Sequence, residues 1–219
     1  MPRSSRLLID GLAYHLLNRG NRKQQIFTQP ADYEEFLGTL ADATERYPVG
    51  LIGFSVMPNH FHLVVWPKRA CEIPAFMRWF MNAHIRRHHR WHELCGTGHL
   101  YQGRYKAFPI QQDGHLLTVL RYVESNASRA KLVDRAEKWP WSSLAVRFSP
   151  DDRSLLVPSP VRRPDNWLAL VNQKLPEKTL NDVRVAAQRQ VPFGDSQWIR
   201  DQKNKGGHSF TSVPLECPP

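Results

Sequence analysis

Pro58-Asn59-His60-Phe61-His62-Leu63-Val64-Val65-Trp66 is the stretch from which the rest of the chain can be read. Phe61, Leu63 and Val65 alternate with His60, His62 and Val64, the two-residue period that sends neighbours to opposite faces of a sheet. A β-strand is therefore predicted. Leu51 to Met57 reads as a second strand, and Pro58-Asn59 between them is a turn signal, so the two form a hairpin. His60 and His62 then point to one face, roughly 7 Å apart along the strand. Two imidazoles side by side on a rigid strand can hold one divalent cation. They equally suit a half-exposed polar face, and a His-x-His alone does not separate the two readings.

Outward from the hairpin, Leu12 to Arg19 is a candidate first strand, closed by Gly20-Asn21. Pro30 suits a first helical position, with Tyr33, Phe36, Leu37, Leu40, Thr44 and Tyr47 on one stripe, and Pro48 ends that helix. After Pro67 a second helix begins near Pro74. Its Ile73, Phe76, Met77, Phe80 and His84 share one face, while Arg78, Arg86 and Arg90 lie on the other. A strand ending at Ile110 follows, with Pro109 placing it at an edge. A third helix is predicted over about His115 to Ser125, carried by Leu116, Val119, Leu120 and Val123. Strand, helix, strand, strand, helix, strand, helix is the order of an α+β domain: a single mostly antiparallel sheet with helices on a face. Residues 1–147 are assigned to this domain. Pro150, Pro158, Pro160 and Pro164 open a linker, so residues 148–219 are read as a Pro-rich linker, a helical C-terminal extension and a tail disordered from about residue 204.

The chain has 219 residues, 41% hydrophobic and 23% charged, an ordinary globular composition. No run reaches the length of a membrane span, and the N-terminus lacks the apolar core of a signal peptide. Cys71, Cys95 and Cys217 are odd in number and widely spaced, which predicts neither a disulfide framework nor a zinc site, and a cytoplasmic setting is expected. The net charge is +10. Between Lys68 and Lys106 stand eight Lys/Arg against two Glu, whereas from Asp151 onward ten basic residues face eight acidic ones. A polyanion partner met by the first 150 residues is expected, nucleic acid before any other. The basic residues singled out for its phosphates are Arg78, Arg86, Arg90, Arg104 and Lys106. Tyr101, Tyr105 and Trp66 are candidates for stacking on bases and equally for the core, and His15 suits either the core or the surround of a site.

Tyr122 and Asn126 stand four apart on the third helix, on one face. With Leu116 as zero, Tyr122 falls at about 240° and Asn126 at about 280°, on the flank of an apolar stripe centred at about 350°. A helix packed by that stripe holds both residues at the edge of the packed layer.

Several blocks, in order, resemble the IS200-like single-tyrosine transposases and, within them, the REP-associated tyrosine transposases. They are Tyr14-His15, Asn18 to Arg22, Ile26-Phe27, Met57 to Leu63, Gly98 to Lys106, Arg121 to Asn126, Arg129-Ala130 and Trp139 to Ser143, with a weaker match at Pro192 to Asp195. The resemblance implies an HUH nuclease core of ferredoxin-like, RRM-like form. It matches His60-Phe61-His62 to the histidine-hydrophobe-histidine motif, Tyr122 to the nucleophile and Asn126 to the third metal ligand. It also implies Mg²⁺ or Mn²⁺ as cofactor, single-stranded DNA with palindromic hairpins as partner, and cleavage with strand transfer through a 5′-phosphotyrosine. The chain departs from the family at Ser125 to Arg129, where relatives carry a proline after the asparagine, and in its C-terminus, which lacks an Arg/Gly-rich tail. The longer tail favours a monomer over a dimer. A domesticated hairpin-binding protein without catalysis is the alternative. An RNA-binding module is disfavoured, because its alternating aromatics are missing from the central strands.

Overall fold

The computed structural model describes residues 7–93, 98–148 and 155–207. Its elements are β1 (Ala13–Arg19), α1 (Pro30–Arg46), β2 (Val49–Met57), β3 (His60–Pro67), α2 (Glu72–Trp91), β4 (Lys106–Ile110), α3 (Gly114–Glu124), α4 (Asn126–Arg129), α5 (Ser143–Arg147), α6 (Trp167–Asn172), α7 (Glu177–Arg189) and α8 (Ser196–Gly207). The four strands form one antiparallel sheet in the order β2-β3-β1-β4. The hairpin turns at Pro58-Asn59, with Met57 paired to His60. Its outward carbonyls are capped by the β1–α1 connection: Ile26 N–H donates to Pro58 O at 2.7 Å and Gly20 N–H to Asn59 O at 2.8 Å.

The strand alternation sorts the core into two layers. Phe61, Leu63 and Val65, with Tyr14 and Leu16 of β1, meet α1 through Phe36 and Leu40 and α2 through Phe76 and Phe80. Ala13, Val64, Phe108 and Ile110 face the other way. There they meet α3 through Leu116, Val119, Leu120 and Val123, with α6 and α7 packed outside through Trp167, Val171 and Val183. Helices thus cover both faces of the sheet. A register shift between Leu51 and Gly53 turns Ile52 into the α3 layer. At Gly53 an added Cβ would stand 2.6 Å from Leu120 Cδ2, so α3 rests directly on the β2 backbone.

Past α5 the chain stays tied to this layer. Phe193 N–H donates to Pro109 O at 3.0 Å and its carbonyl accepts from Gln111 N–H at 2.9 Å, which fixes the stretch before α8 against the β4 edge. α8 runs to Gly207; residues 208–219, the rest of the tail read as disordered, lie outside the described residues. Cys71 is disulfide-bonded, a correction to the expectation that the cysteines form no disulfide framework. Linear spacing does not reveal which sulfurs the fold brings within bonding range. Cys95 and Cys217 lie outside the described residues. Among the described residues no helix is long and apolar enough to cross a membrane.

Candidate active site

His15, Leu17 and Arg19 of β1 and His60, His62 and Val64 of β3 share the sheet face that α3 covers. The pairing sets Arg19 opposite His60 and Leu17 opposite His62. α3 seats its apolar stripe on this face, and the flank position of Tyr122 turns its ring towards the histidines. The Tyr122 ring centroid lies 5.9 Å from that of His62 and 6.4 Å from that of His15, and His60 and His62 are 5.0 Å apart. One turn on, at the break between α3 and α4, Asn126 Nδ2 stands 3.3 Å from His60 Nε2. Tyr122, His60, His62 and Asn126 are thus brought to one place.

The hydrogen bonds define which atoms are offered there. Asn59 Nδ2 donates to Lys23 O at 3.2 Å, so its Oδ1 is free to accept from His60 Nδ1–H at 2.6 Å. That proton on Nδ1 leaves His60 Nε2 with a bare lone pair facing Asn126. His62 is engaged through Nδ1, 2.8 Å from His15 Nε2, which leaves its Nε2 for the site. Burial pushes His60 down to about 4, helped by the charges of Arg19 and Arg129. His62 lies well below the ordinary histidine value, through burial and then the neighbouring His15 and His60. Both imidazoles are neutral at physiological pH and keep their lone pairs.

Asn126 Oδ1 accepts from Arg129 at 3.1 Å and retains a second lone pair. Two imidazoles and one neutral amide make a donor set that fits Mn²⁺ or Mg²⁺ better than a closed thiolate zinc site. Among the described residues no group of three His, Cys, Asp or Glu forms a metal cluster. This set has only two such residues, and its third donor is an amide.

Arg129 is the site residue that sequence reasoning missed. Its guanidinium carbon lies 4.2 Å from the Tyr122 ring centroid. It also donates to Tyr122 O at 2.9 Å, and its Nε donates to Ser125 Oγ at 3.2 Å. The signal was present as helical spacing, seven residues from Tyr122 and three from Asn126.

The basic residues expected at the phosphates divide. Lys106 pairs with Leu17, which pairs with His62, so Lys106 is on the site face two strands away, about 10 Å. Arg104 is exposed just before β4. Arg78, Arg86 and Arg90 are exposed on α2, across the sheet from Tyr122. Tyr101 and Tyr105 are core residues, and Trp66, half-exposed, sits at the far end of β3. His84 is fully buried and bonded to the Tyr101 hydroxyl at 3.0 Å.

Residues 9–126 match the family model described as "Transposase IS200 like". Among solved structures the chain is similar to a REP-associated tyrosine transposase bound to a REP hairpin. Identity is 15% and the TM-score 0.57, over 81% of this chain and 100% of that one, a likeness of fold. A putative transposase of Deinococcus radiodurans R1 is 20% identical with a TM-score of 0.40, over 60% of this chain and 92% of that one. No curated protein matches the sequence.

Proposed function

The chain belongs to the IS200-like transposase family, and from that premise we propose that it cuts and rejoins single-stranded DNA at hairpins, with Tyr122 as nucleophile. The observation that carries this reading is the convergence of Tyr122 with His62 and of Asn126 with His60 on one sheet face. The REP hairpin bound by the similar structure supports a hairpin as the substrate form.

The phenolic oxygen of Tyr122 attacks the scissile phosphorus and gives up its proton. The bond from phosphorus to the 3′-oxygen breaks, and that oxygen leaves as a hydroxyl. One phosphodiester replaces another of nearly equal energy, so a new 3′-hydroxyl can reverse the step and complete strand transfer. His60, His62 and Asn126 would hold Mg²⁺ or Mn²⁺, which supplies Lewis acidity to a phosphate oxygen when bound. Arg129, Arg19 and Lys106 provide positive charge on the same face, and the α2 arginines would meet DNA farther from the break. Residues 1–147 carry these groups, and residues 155–207 brace the layer that positions Tyr122.

The test is a covalent adduct on end-labelled oligonucleotides that carry palindromes from the source genome. Wild-type protein should become attached to the 5′ side of one break, and Tyr122→Phe should bind the hairpin without attachment. An adduct that persists in Tyr122→Phe would move the nucleophile elsewhere.

A further inference from the structure

His15 has no role in the reading above, yet it is completely buried beside the site. Its Nε2 lies 2.8 Å from Nδ1 of His62, with the two ring planes inclined by 26°. Its far side abuts Phe108 at 5.0 Å between centroids. Its Nδ1 is buried without a hydrogen-bond partner. A native interior rarely keeps such an orphan, and an apolar side chain of similar size would fill the space without one.

Two neutral imidazoles joined by one hydrogen bond have two arrangements. In the first, His15 Nε2–H donates to His62 Nδ1. The proton of His62 then sits on Nε2, and that nitrogen has no lone pair to offer. In the second, His62 Nδ1–H donates to His15 Nε2, and His62 Nε2 is bare. The second arrangement puts the proton of His15 on the orphaned Nδ1, the less comfortable place for the fold. Only this arrangement lets His62 act as a ligand.

We propose that His15 is a positioning residue for the cation site: it accepts the Nδ1 proton of His62, fixing the tautomer and ring orientation in which His62 Nε2 faces the cation. This rests on the cation reading above. Hydrogen bonds to the outer nitrogen of a ligand histidine govern metal affinity in this way, and their loss typically weakens binding 10- to 100-fold. His60 has the corresponding partner in Asn59 Oδ1, so each imidazole would be oriented by its own acceptor. The proposal also makes the buried orphan a cost to the fold that serves the site.

The experiment measures Mn²⁺ affinity by calorimetry and thermal midpoint for wild type, His15→Leu and His15→Gln. Gln can place its carbonyl oxygen where His15 Nε2 stands. The expected result is Mn²⁺ binding weakened about tenfold or more in His15→Leu, largely restored in His15→Gln, with the midpoint of His15→Leu at or above that of wild type. Unchanged Mn²⁺ affinity in His15→Leu overturns the proposal. So does a Gln variant as weak as the Leu variant, or an affinity loss that merely follows a lower midpoint. Should His15→Leu fail to fold, ¹⁵N NMR of the Mg²⁺-saturated wild type decides instead. A proton on His15 Nδ1 with Nε2 bare supports the proposal, and a proton on Nε2 overturns it. Wild-type protein that binds no Mn²⁺, or His62→Ala that binds it unchanged, sinks the cation reading itself, a failure distinguishable from that of His15 alone.

Discussion

Arg129 joins Tyr122 to Asn126: one guanidinium covers the Tyr122 ring, reaches the Tyr122 carbonyl and holds Asn126 Oδ1. Loss of a positioned cationic donor from a reacting centre costs on the order of 10²- to 10³-fold in rate. Arg129→Met keeps the bulk and removes the charge and the fork. Single-turnover cleavage should fall by about that factor while hairpin affinity changes little. Arg129→Lys should recover only part, because an ammonium cannot reproduce the planar fork. An unchanged rate in Arg129→Met would leave Arg129 as a clamp on the α3–α4 break and nothing more. Residues of this kind divide sharply in how legible they are. That His60 and His62 share a face follows from a period of two, and that Tyr122 and Asn126 do from a spacing of four, whereas their roles are implied only by the family resemblance. His15 is not legible in this way, because its role depends on β1 lying beside β3, and register between strands distant in sequence is set by tertiary packing.

α2 reads as amphipathic and is amphipathic, but its basic face looks away from Tyr122, since Phe76 and Phe80 bury it against the opposite side of the sheet. Periodicity gives the face a helix presents and says nothing about which side of a sheet it covers. Arg86→Ala with Arg90→Ala should therefore weaken hairpin binding and flatten its salt dependence by roughly one to two units of log–log slope, with cleavage at saturating DNA unaltered. An unaltered slope would mean that this face meets only solvent. α3 is held differently. Glu124, fully buried two residues after Tyr122, accepts from Ser143 Oγ at 2.8 Å and Trp167 Nε1 at 2.6 Å. Arg147 and Arg163 stand 3.8 and 3.6 Å from it. A carboxylate so placed fastens α5 and the C-terminal extension to the helix that carries the tyrosine. Glu124→Ala leaves two largely buried guanidiniums without their counter-charge, and urea unfolding should show a loss of about 3–5 kcal/mol. A change below about 1 kcal/mol would show the network to be replaceable. Nothing in the linear sequence marks Glu124, because its partners lie 19 to 43 residues away.

At the scale of the whole molecule, the fold brings several histidines into the interior as neutral groups. Burial holds His15 at about 3, His60 at about 4 and His84 at about 3, with His62 well below the ordinary value near 6.5. In the unfolded chain each takes up a proton near 6.5. Between about pH 6.5 and about 4 the unfolded state therefore binds more protons than the folded one, and stability rises with pH across that window. On acidification it is lost progressively, until the folded histidines begin to protonate near 4 and 3. Asp32 acts in the same direction at still lower pH. Although its burial opposes this, hydrogen bonds from Thr28, His92 and Gln29 hold its carboxyl below the usual range, so its contribution also disappears in acid. Glu35, raised by burial, acts in the opposite direction. The urea midpoint should fall steadily from pH 7 to pH 4.5. Cleavage, which on the proposed mechanism needs the same neutral imidazoles, should persist below pH 6.5 for as long as the protein stays folded, and disappear together with the fold. Parallel urea titrations and single-turnover assays at half-unit pH steps check both halves. A flat midpoint across the window would show that these histidines are not held neutral by the interior. Cleavage that titrates away near 6.5 in fully folded protein would mean that the ligand imidazoles are open to water.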